Sequence, residues 1–419
     1  MRSTLMAHAL VVGAGIAGEA LAVTLARDGW RVTVVEVAPE LRTGGQTVDL
    51  RGDSRQVLVD LGLIDEVLAH LVPQRGIAWI RADGSRMAEM PVEAFGGRGL
   101  ISSEELLRSD LARVLHGAAG AAGVEYRFAD TVEQLTDTAE GVEVRFRSGP
   151  VEVFDVVVGA DGSHSRTRSL RFGPESAYRK PLGLAHAWFT LREGPGTPPL
   201  DGWALSYNEP GRRGLTARPG HPGQQEIGMT FAASTVPRAH DARLAVLDDA
   251  FHGAGWRAAE FLAAARTAPD LALDTYDQIH IDRGWSDGRV VLVGDAAWCA
   301  SPLSGLGTAL GLRGAAELAE ALRRHGVSAE PTAERIRAAF SSFEQVMRPR
   351  AAAAQKLLPG RVRMVAPKTR WGIRANAVVM RVVQAPAFLR VVRFLAGGRG
   401  HGDGAGPEPS HAERSRQAG

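Results

Sequence analysis

Cysteine is all but absent from this sequence: Cys299 stands alone among 419 residues. An internal disulfide framework and a cysteine-based zinc site are thereby excluded, and a reducing cytoplasm is the compartment expected. No uninterrupted apolar stretch reaches about 18 residues, so no membrane span is expected. Met1 to His8 is too short and polar to read as a secretory signal. There is no Ser–His–Asp signature, no run of His and acidic residues at metal spacing and no internal repeat. No metal site is therefore expected, and no side chain is singled out as a catalytic acid or base.

Charge is scarce in sum but unevenly placed. The net formal charge is +2, yet from Arg348 to the end 14 Lys/Arg face 3 Asp/Glu, which leaves −9 for everything before. An acidic body argues against a broad nucleic-acid footprint. The composition, 45% hydrophobic and 23% charged, belongs to an ordinary globular chain with room for two or three units.

What is present starts at the first turn. Ala9 to Val12 is a short apolar run, as in a strand buried on both faces. It leads into Gly13, Ala14, Gly15, Ile16, Ala17 and Gly18. Apolar residues at helical spacing follow to Arg27, Asp28-Gly29 ends them, and Val32 to Val35 forms a second β-branched run that closes on Glu36. This is one βαβ unit. Gly13 permits the tight turn, Gly15 lets backbone approach a pyrophosphate, and Gly18 lets helix and strand pack closely. Free N–H groups at the helix start favour phosphate, and Glu36 suits ribose hydroxyls. The motif announces a dinucleotide without separating NAD from FAD.

Two later motifs bear on that choice. One is a buried strand, Val156 to Val158, that ends at Gly159 and leads to Asp161-Gly162 and then Arg168. The other is Val290 to Val293, ending at Gly294-Asp295 and followed by Pro302, Gly305, Leu306 and Gly307. An Asp at the end of a buried strand, where a crevice opens, can hydrogen-bond a sugar alcohol. The helix predicted from Gly307 directs its positive end toward a ring that gains negative charge on reduction.

In this order the three motifs resemble the single-component FAD-dependent aromatic hydroxylases of the para-hydroxybenzoate hydroxylase fold, over about Ala9 to Arg324. The resemblance implies an α/β fold: a doubly wound, Rossmann-type FAD-binding domain of the glutathione reductase kind, an inserted antiparallel-sheet substrate domain, and C-terminal helices. It places the ADP half of FAD on Gly13, Gly15, Ile16, Ala17, Gly18 and Glu36, the ribityl chain on Asp295 beside Gly294, and the ring against Pro302 and Gly305 to Gly307. Arg108 matches the helix arginine that touches flavin. Asp161, Gly162 and Arg168 match the motif credited with FAD and NAD(P)H contact. The segment Gly44 to Gly52 is similar to that of tetracycline-inactivating and antibiotic-tailoring monooxygenases, with Gly45, Gln46 and Arg51 near flavin or substrate.

The activity so implied uses NADPH or NADH as a transient reductant and O2 to insert one oxygen atom, by way of a flavin hydroperoxide, into a bulky aromatic or polyketide-like small molecule. A reductase or dehydrogenase of the same superfamily, or a non-catalytic flavoprotein that sequesters a polycyclic ligand, are the alternatives. The Trp-x-Trp-x-Ile-Pro segment of the flavin halogenases is not evident. Trp203, Met229 and Phe231 are candidates for the substrate pocket. For His186, Tyr276 and His280 an ordinary sheet role is the plainer expectation, and for Cys299 a packing role.

The expected division is FAD-binding over 1–72, 98–175 and 284–345, substrate sheet over 73–97 and 176–283, C-terminal helices over 346–396, and a disordered tail over 397–419. Single helices are predicted over Ser54 to Leu71 and Glu104 to Ala119, and a long one over Ala333 to Leu358 interrupted at Pro349. Pro367 and Pro386 interrupt the basic segment Arg361 to Arg393. A final helix packed across both domains, without stable membrane association, is expected there. Monomer and homodimer are both compatible with the sequence.

Overall fold

A computed structural model describes residues 6–42, 44, 46–94, 102–149 and 151–384. Gly45, Pro386 and the segment 397–419 lie outside them.

The β-branched runs meet in one six-stranded sheet. Its order is Ser286–Asp287, Val290–Leu292, Val156–Gly159, His8–Val12, Arg31–Val35 and Glu125–Arg127, parallel except for the first pair. Alternation sends Val11, Val32, Val34, Val156 and Val158 to one face, where the helices Ile16–Arg27, Arg108–Ala121 and Gly307–Arg324 pack. Leu10, Val12, Val35, Val157 and Val290 face the other way, onto a three-stranded antiparallel sheet carrying Val142, Phe146 and Phe154. Burial on both faces is what continuous apolar runs require. The central consequence is adjacency. The strands that end in the three motifs are neighbours, so Gly13, Asp161 and Asp295 emerge side by side at the carboxyl ends.

A second, seven-stranded sheet runs Ala272–Ile279, Arg179–Arg192, Gln224–Phe231, Arg213–Pro219, Trp203–Glu209, Gly76–Ile80 and Arg86–Pro91. The early hairpin thus joins strands more than 100 positions later, by parallel pairing of Gly76–Ile80 with Trp203–Glu209. The helices His240–Phe251 and Ala258–Ala265 cover one face of this sheet through Leu247, Phe251 and Phe261.

Three local expectations are corrected. The helix expected over Ser54 to Leu71 is two, Asp53–Asp60 and Ile64–Leu68, split at Gly62, whose φ of +66° no α-helix accommodates. The residues Glu105–Leu107 form a strand with Thr47–Asp49, and the helix starts only at Arg108. Pro349 does not interrupt the helix Ala333–Gln355. It sits on the exposed side, where losing a bond to the Gln345 carbonyl costs least, while Phe343, Met347 and Ala351 hold the opposite side in the core.

Candidate FAD and substrate site

The glycine turn is built as its chemistry requires. A Cβ on Gly13 (φ +105°) would fall 2.7 Å from the Ala160 carbonyl oxygen, and one on Gly18 would fall 2.0 Å from that of Gly13. Both positions are closed to side chains by neighbouring backbone. At Gly15 the nearest atom to such a Cβ is Arg108 Nη2, at 3.9 Å, so this side of the turn opens on a groove. Gly15 caps the helix Ile16–Arg27 without any side-chain cap, which leaves first-turn N–H groups facing that groove. Ile16 is buried beneath, and Ala17 meets the Cβ positions of Gly294 and Gly311. Glu36 reaches the same turn: its Oε2 accepts from Ala14 N and its Oε1 from Ala38 N, both at 2.9 Å.

The groove encloses about 550 Å³ between these residues, Arg108, Ser109, Asp161 and Gly162. Arg108 opens the helix Arg108–Ala121, and its N–H donates to the Gln46 carbonyl at 3.1 Å. Asp295 stands after Gly294, which turns at φ +64°. Asp295 is exposed in part, yet protein packs densely around its carboxyl. Poor solvation raises its pKa above the ordinary aspartate value, and the charge of Arg108 opposes the rise.

In the middle motif the polar side chains are engaged by the protein itself. The Asp161 carboxylate accepts from Ser165 Oγ at 2.5 Å, Thr167 N at 2.9 Å and Thr167 Oγ1 at 3.0 Å. It therefore fixes the start of the helix Arg166–Arg171, and with Gly162 it forms groove wall. Arg168 is fully buried. It donates from Nη1 to the Ala296 carbonyl at 2.9 Å and from Nη2 to that of Ser163 at 2.6 Å. That makes it a strut between the loops of the second and third motifs and removes it from the groove surface.

Beyond Asp295 the chain turns sharply. Ser301 has φ +72°, the residues Pro302–Ser304 form a single 3-10 turn, and Gly305 has φ +68°. Leu306 is exposed, and the space at Gly305 and Gly307 is open. Cys299 is buried with its Sγ 3.6 Å from the Asp277 carbonyl oxygen, and burial pushes its thiol pKa up, as for an inert packing residue. Arg51 is held by Asp49 at 3.3 Å.

The pocket candidates on the seven-stranded sheet are corrected. Trp203, Met229 and Phe231 all point into the core under the two covering helices. Alternation gives the opposite face to Gly228, Thr230, His186, Trp188 and Tyr276. Tyr276 packs there against Leu303 of the loop after Asp295. His186 stacks between Tyr276 and Trp188, with centroids at 5.5 and 6.0 Å, and its Nδ1 meets Thr230 Oγ1 at 2.7 Å. Burial, aided by Arg218, drives its pKa down to about 4, so the ring is neutral. Gly228 makes room for it, since a Cβ there would lie 2.7 Å from His186 Cε1. His280 instead bonds Gln278 Oε1 at 3.0 Å. The residues missed outright, Trp188 and Thr230, carried no signal beyond a period-2 pattern whose sense is ambiguous.

The C-terminal helices close this region. Arg361 donates to the Leu303 carbonyl at 3.2 Å, and the helix Arg370–Gln384 packs Met380 on Ala88 and Met90.

This combination of a doubly wound sheet, three adjacent motif turns and a facing antiparallel sheet defines a flavoprotein of the monooxygenase type. A family model described as FAD binding domain matches residues 6–333. The chain belongs to this family of FAD-dependent monooxygenases. It is 39% identical over 326 residues to the uncharacterized protein Rv1260 of Mycobacterium tuberculosis, covering 77% of this chain and 86% of that one. It is 30% identical to the FAD-dependent monooxygenase asL4 of Sarocladium schorii, covering 91% and 93%. The crystal structure of the tetracycline destructase Tet(51) superposes with a TM-score of 0.75 at 26% identity, covering 95% of this chain and 100% of that one.

The groove suits FAD on its own evidence. The opening at Gly15 admits a diphosphate to bare helix N–H groups. Ser109 Oγ, buried in the groove wall, has no hydrogen-bond partner among the described residues, as a group awaiting a polar ligand would.

Proposed function

We propose that this chain uses NAD(P)H and O2 to insert one oxygen atom into a bulky aromatic or polyketide-like small molecule. The observation that carries this reading is the packing of Tyr276 on Leu303. It sets the row Trp188, His186 and Tyr276 against the loop that follows Asp295. The tetracycline destructase likeness supports a polycyclic substrate.

In this reading Gly13, Gly15, Gly18 and Glu36 hold the ADP half of FAD, Arg108 and Asp295 the diphosphate and ribityl chain, and Gln46 with Pro302 to Gly307 the ring. Bound FAD supplies the redox chemistry: it takes electrons from the nicotinamide and activates O2. The protein positions and dries the reacting centre. The N-terminus of the helix Gly307–Arg324 favours negative charge beside it. Trp188 and Tyr276 offer flat apolar area to a planar substrate. Neutral His186, engaged at Nδ1 by Thr230, offers Nε2 to a substrate hydroxyl.

Incubation of the FAD-loaded protein with a set of polycyclic phenols tests this. The expected result is stimulated NAD(P)H oxidation with a product heavier by one oxygen. NAD(P)H consumption that never yields an oxygenated product overturns it, and substrate conversion without O2 favours a reductase.

A further inference from the structure

The helix Arg370–Gln384 is apolar on two sides. Inward, Ala377 and Met380 are buried, Arg381 donates to the Met87 carbonyl, and Asn376 donates to that of Met364 at 2.9 Å. Outward, Trp371 is 78% exposed, and Val378, Val379 and Val382 are each about half exposed. Trp371, Ala375, Val378 and Val382 recur at helical spacing and make one stripe along the solvent side. A helix that only packs on its own protein leaves its polar residues there.

The charge along this C-terminal segment has one sign. From Lys356 to Gln384 there are seven Lys/Arg and no Asp or Glu. Helical spacing puts Arg370, Arg374 and Arg381 along one flank of the stripe. Arg374 lies 5.7 Å from the Trp371 ring centroid, so cation and aromatic are presented together. The bulk of the chain is acidic, which makes this end the positive pole of the molecule.

An apolar stripe with an exposed Trp, flanked by arginines and free of acids, has the physical make-up of a helix that lies in the headgroup layer of a negatively charged bilayer. We propose that the outward face of Arg370–Gln384 docks the enzyme on an anionic lipid surface. The contact is peripheral: among the described residues no helix is long and apolar enough to cross a membrane. The charge excludes a second copy of the same basic face as the better occupant, since two such faces repel. Internal packing, expected of this segment, is met by the inward face, and the stripe is left over. The inference stands apart from the identity of the substrate.

Flotation of the full-length, FAD-loaded chain with phosphatidylcholine vesicles, with and without phosphatidylglycerol, tests it. Expected is co-flotation with the phosphatidylglycerol vesicles only, weakened by high salt. The double variant Val378→Asp/Val382→Asp should lower partitioning at least about tenfold, with flavin absorbance and melting temperature unchanged. Arg370→Glu/Arg374→Glu should remove the preference for phosphatidylglycerol. Should either double variant misfold, Trp371→Ala alone should weaken flotation. Failure to float with either vesicle overturns the proposal. So does undiminished flotation of Val378→Asp/Val382→Asp, or a dimer that this variant dissociates without any vesicle binding by the parent.

Discussion

His164 Nε2 and Asp274 Oδ1 lie 3.0 Å apart and join the loop after the strand Val156–Gly159 to the seven-stranded sheet across 110 positions. His164 Nδ1 meets Glu175 at 3.1 Å. The bond to Asp274, against the opposing effect of burial, raises the His164 pKa to about 9, so the imidazolium is charged at neutral pH. A histidine with a raised folded pKa contributes stability fully below its unfolded value of 6.5 and loses it as pH climbs through about 9. His164→Gln should therefore lower the melting temperature at pH 6 and leave it nearly unchanged at pH 10. The side chain is 47% exposed, so solvent screening keeps the effect small. Equal losses at both pH values would show that packing, not charge, is at work.

The two glycines of the first turn should fail in different ways. Gly18→Ala forces a Cβ onto the Gly13 carbonyl and should destabilise the protein without cofactor by about 2 kcal/mol. Gly15→Val fills open groove, so the melt without FAD should hardly change. FAD affinity should fall by a factor on the order of a hundred, as expected where backbone must approach the pyrophosphate. Urea melts paired with flavin fluorescence titrations separate the two outcomes.

Arg168 should behave as a strut. Arg168→Ala leaves the carbonyls of Ala296 and Ser163 without their donor and empties a buried site, a loss of about 3 kcal/mol. Arg168→Lys keeps the charge but not the fork that spans both loops, and FAD binding should weaken in step with stability. A variant that folds normally and loses only response to NAD(P)H would restore the nicotinamide role.

Glu226 offers a second pH test. The Thr190 hydroxyl lies 2.7 Å from Asp270 Oδ2 and 3.2 Å from Glu226 Oε1. Burial first, then the charge of Asp270, raises the Glu226 pKa to about 7. A carboxyl raised in the folded state destabilises it progressively as pH rises from 4.5 to about 7. Glu226→Gln should therefore raise the melting temperature at pH 8 by about 2 °C and change little at pH 4. A melting temperature lowered at pH 8 would contradict this.

The motifs were legible because their chemistry is local. β-Branched runs, glycines at fixed offsets and an acid at a strand end announce strand, turn and phosphate cradle wherever the strand is placed. From them the sequence by itself determined a doubly wound, dinucleotide-binding class; FAD and membership among the monooxygenases followed from the resemblance that the three motifs carry together. Element breaks were less legible. Gly62 ends a helix that apolar spacing would carry on, and Pro349 is tolerated because of which side of its helix meets solvent. Tertiary structure alone decided that the three motif strands are neighbours, that Arg168 braces two loops, and that the seven-stranded sheet turns Met229 and Phe231 away while presenting His186, Trp188 and Tyr276. The reason is symmetry. A period of two marks two faces of a strand but not which is inner, and only packing against helices on one side and the Ser301–Gly307 loop on the other breaks that tie.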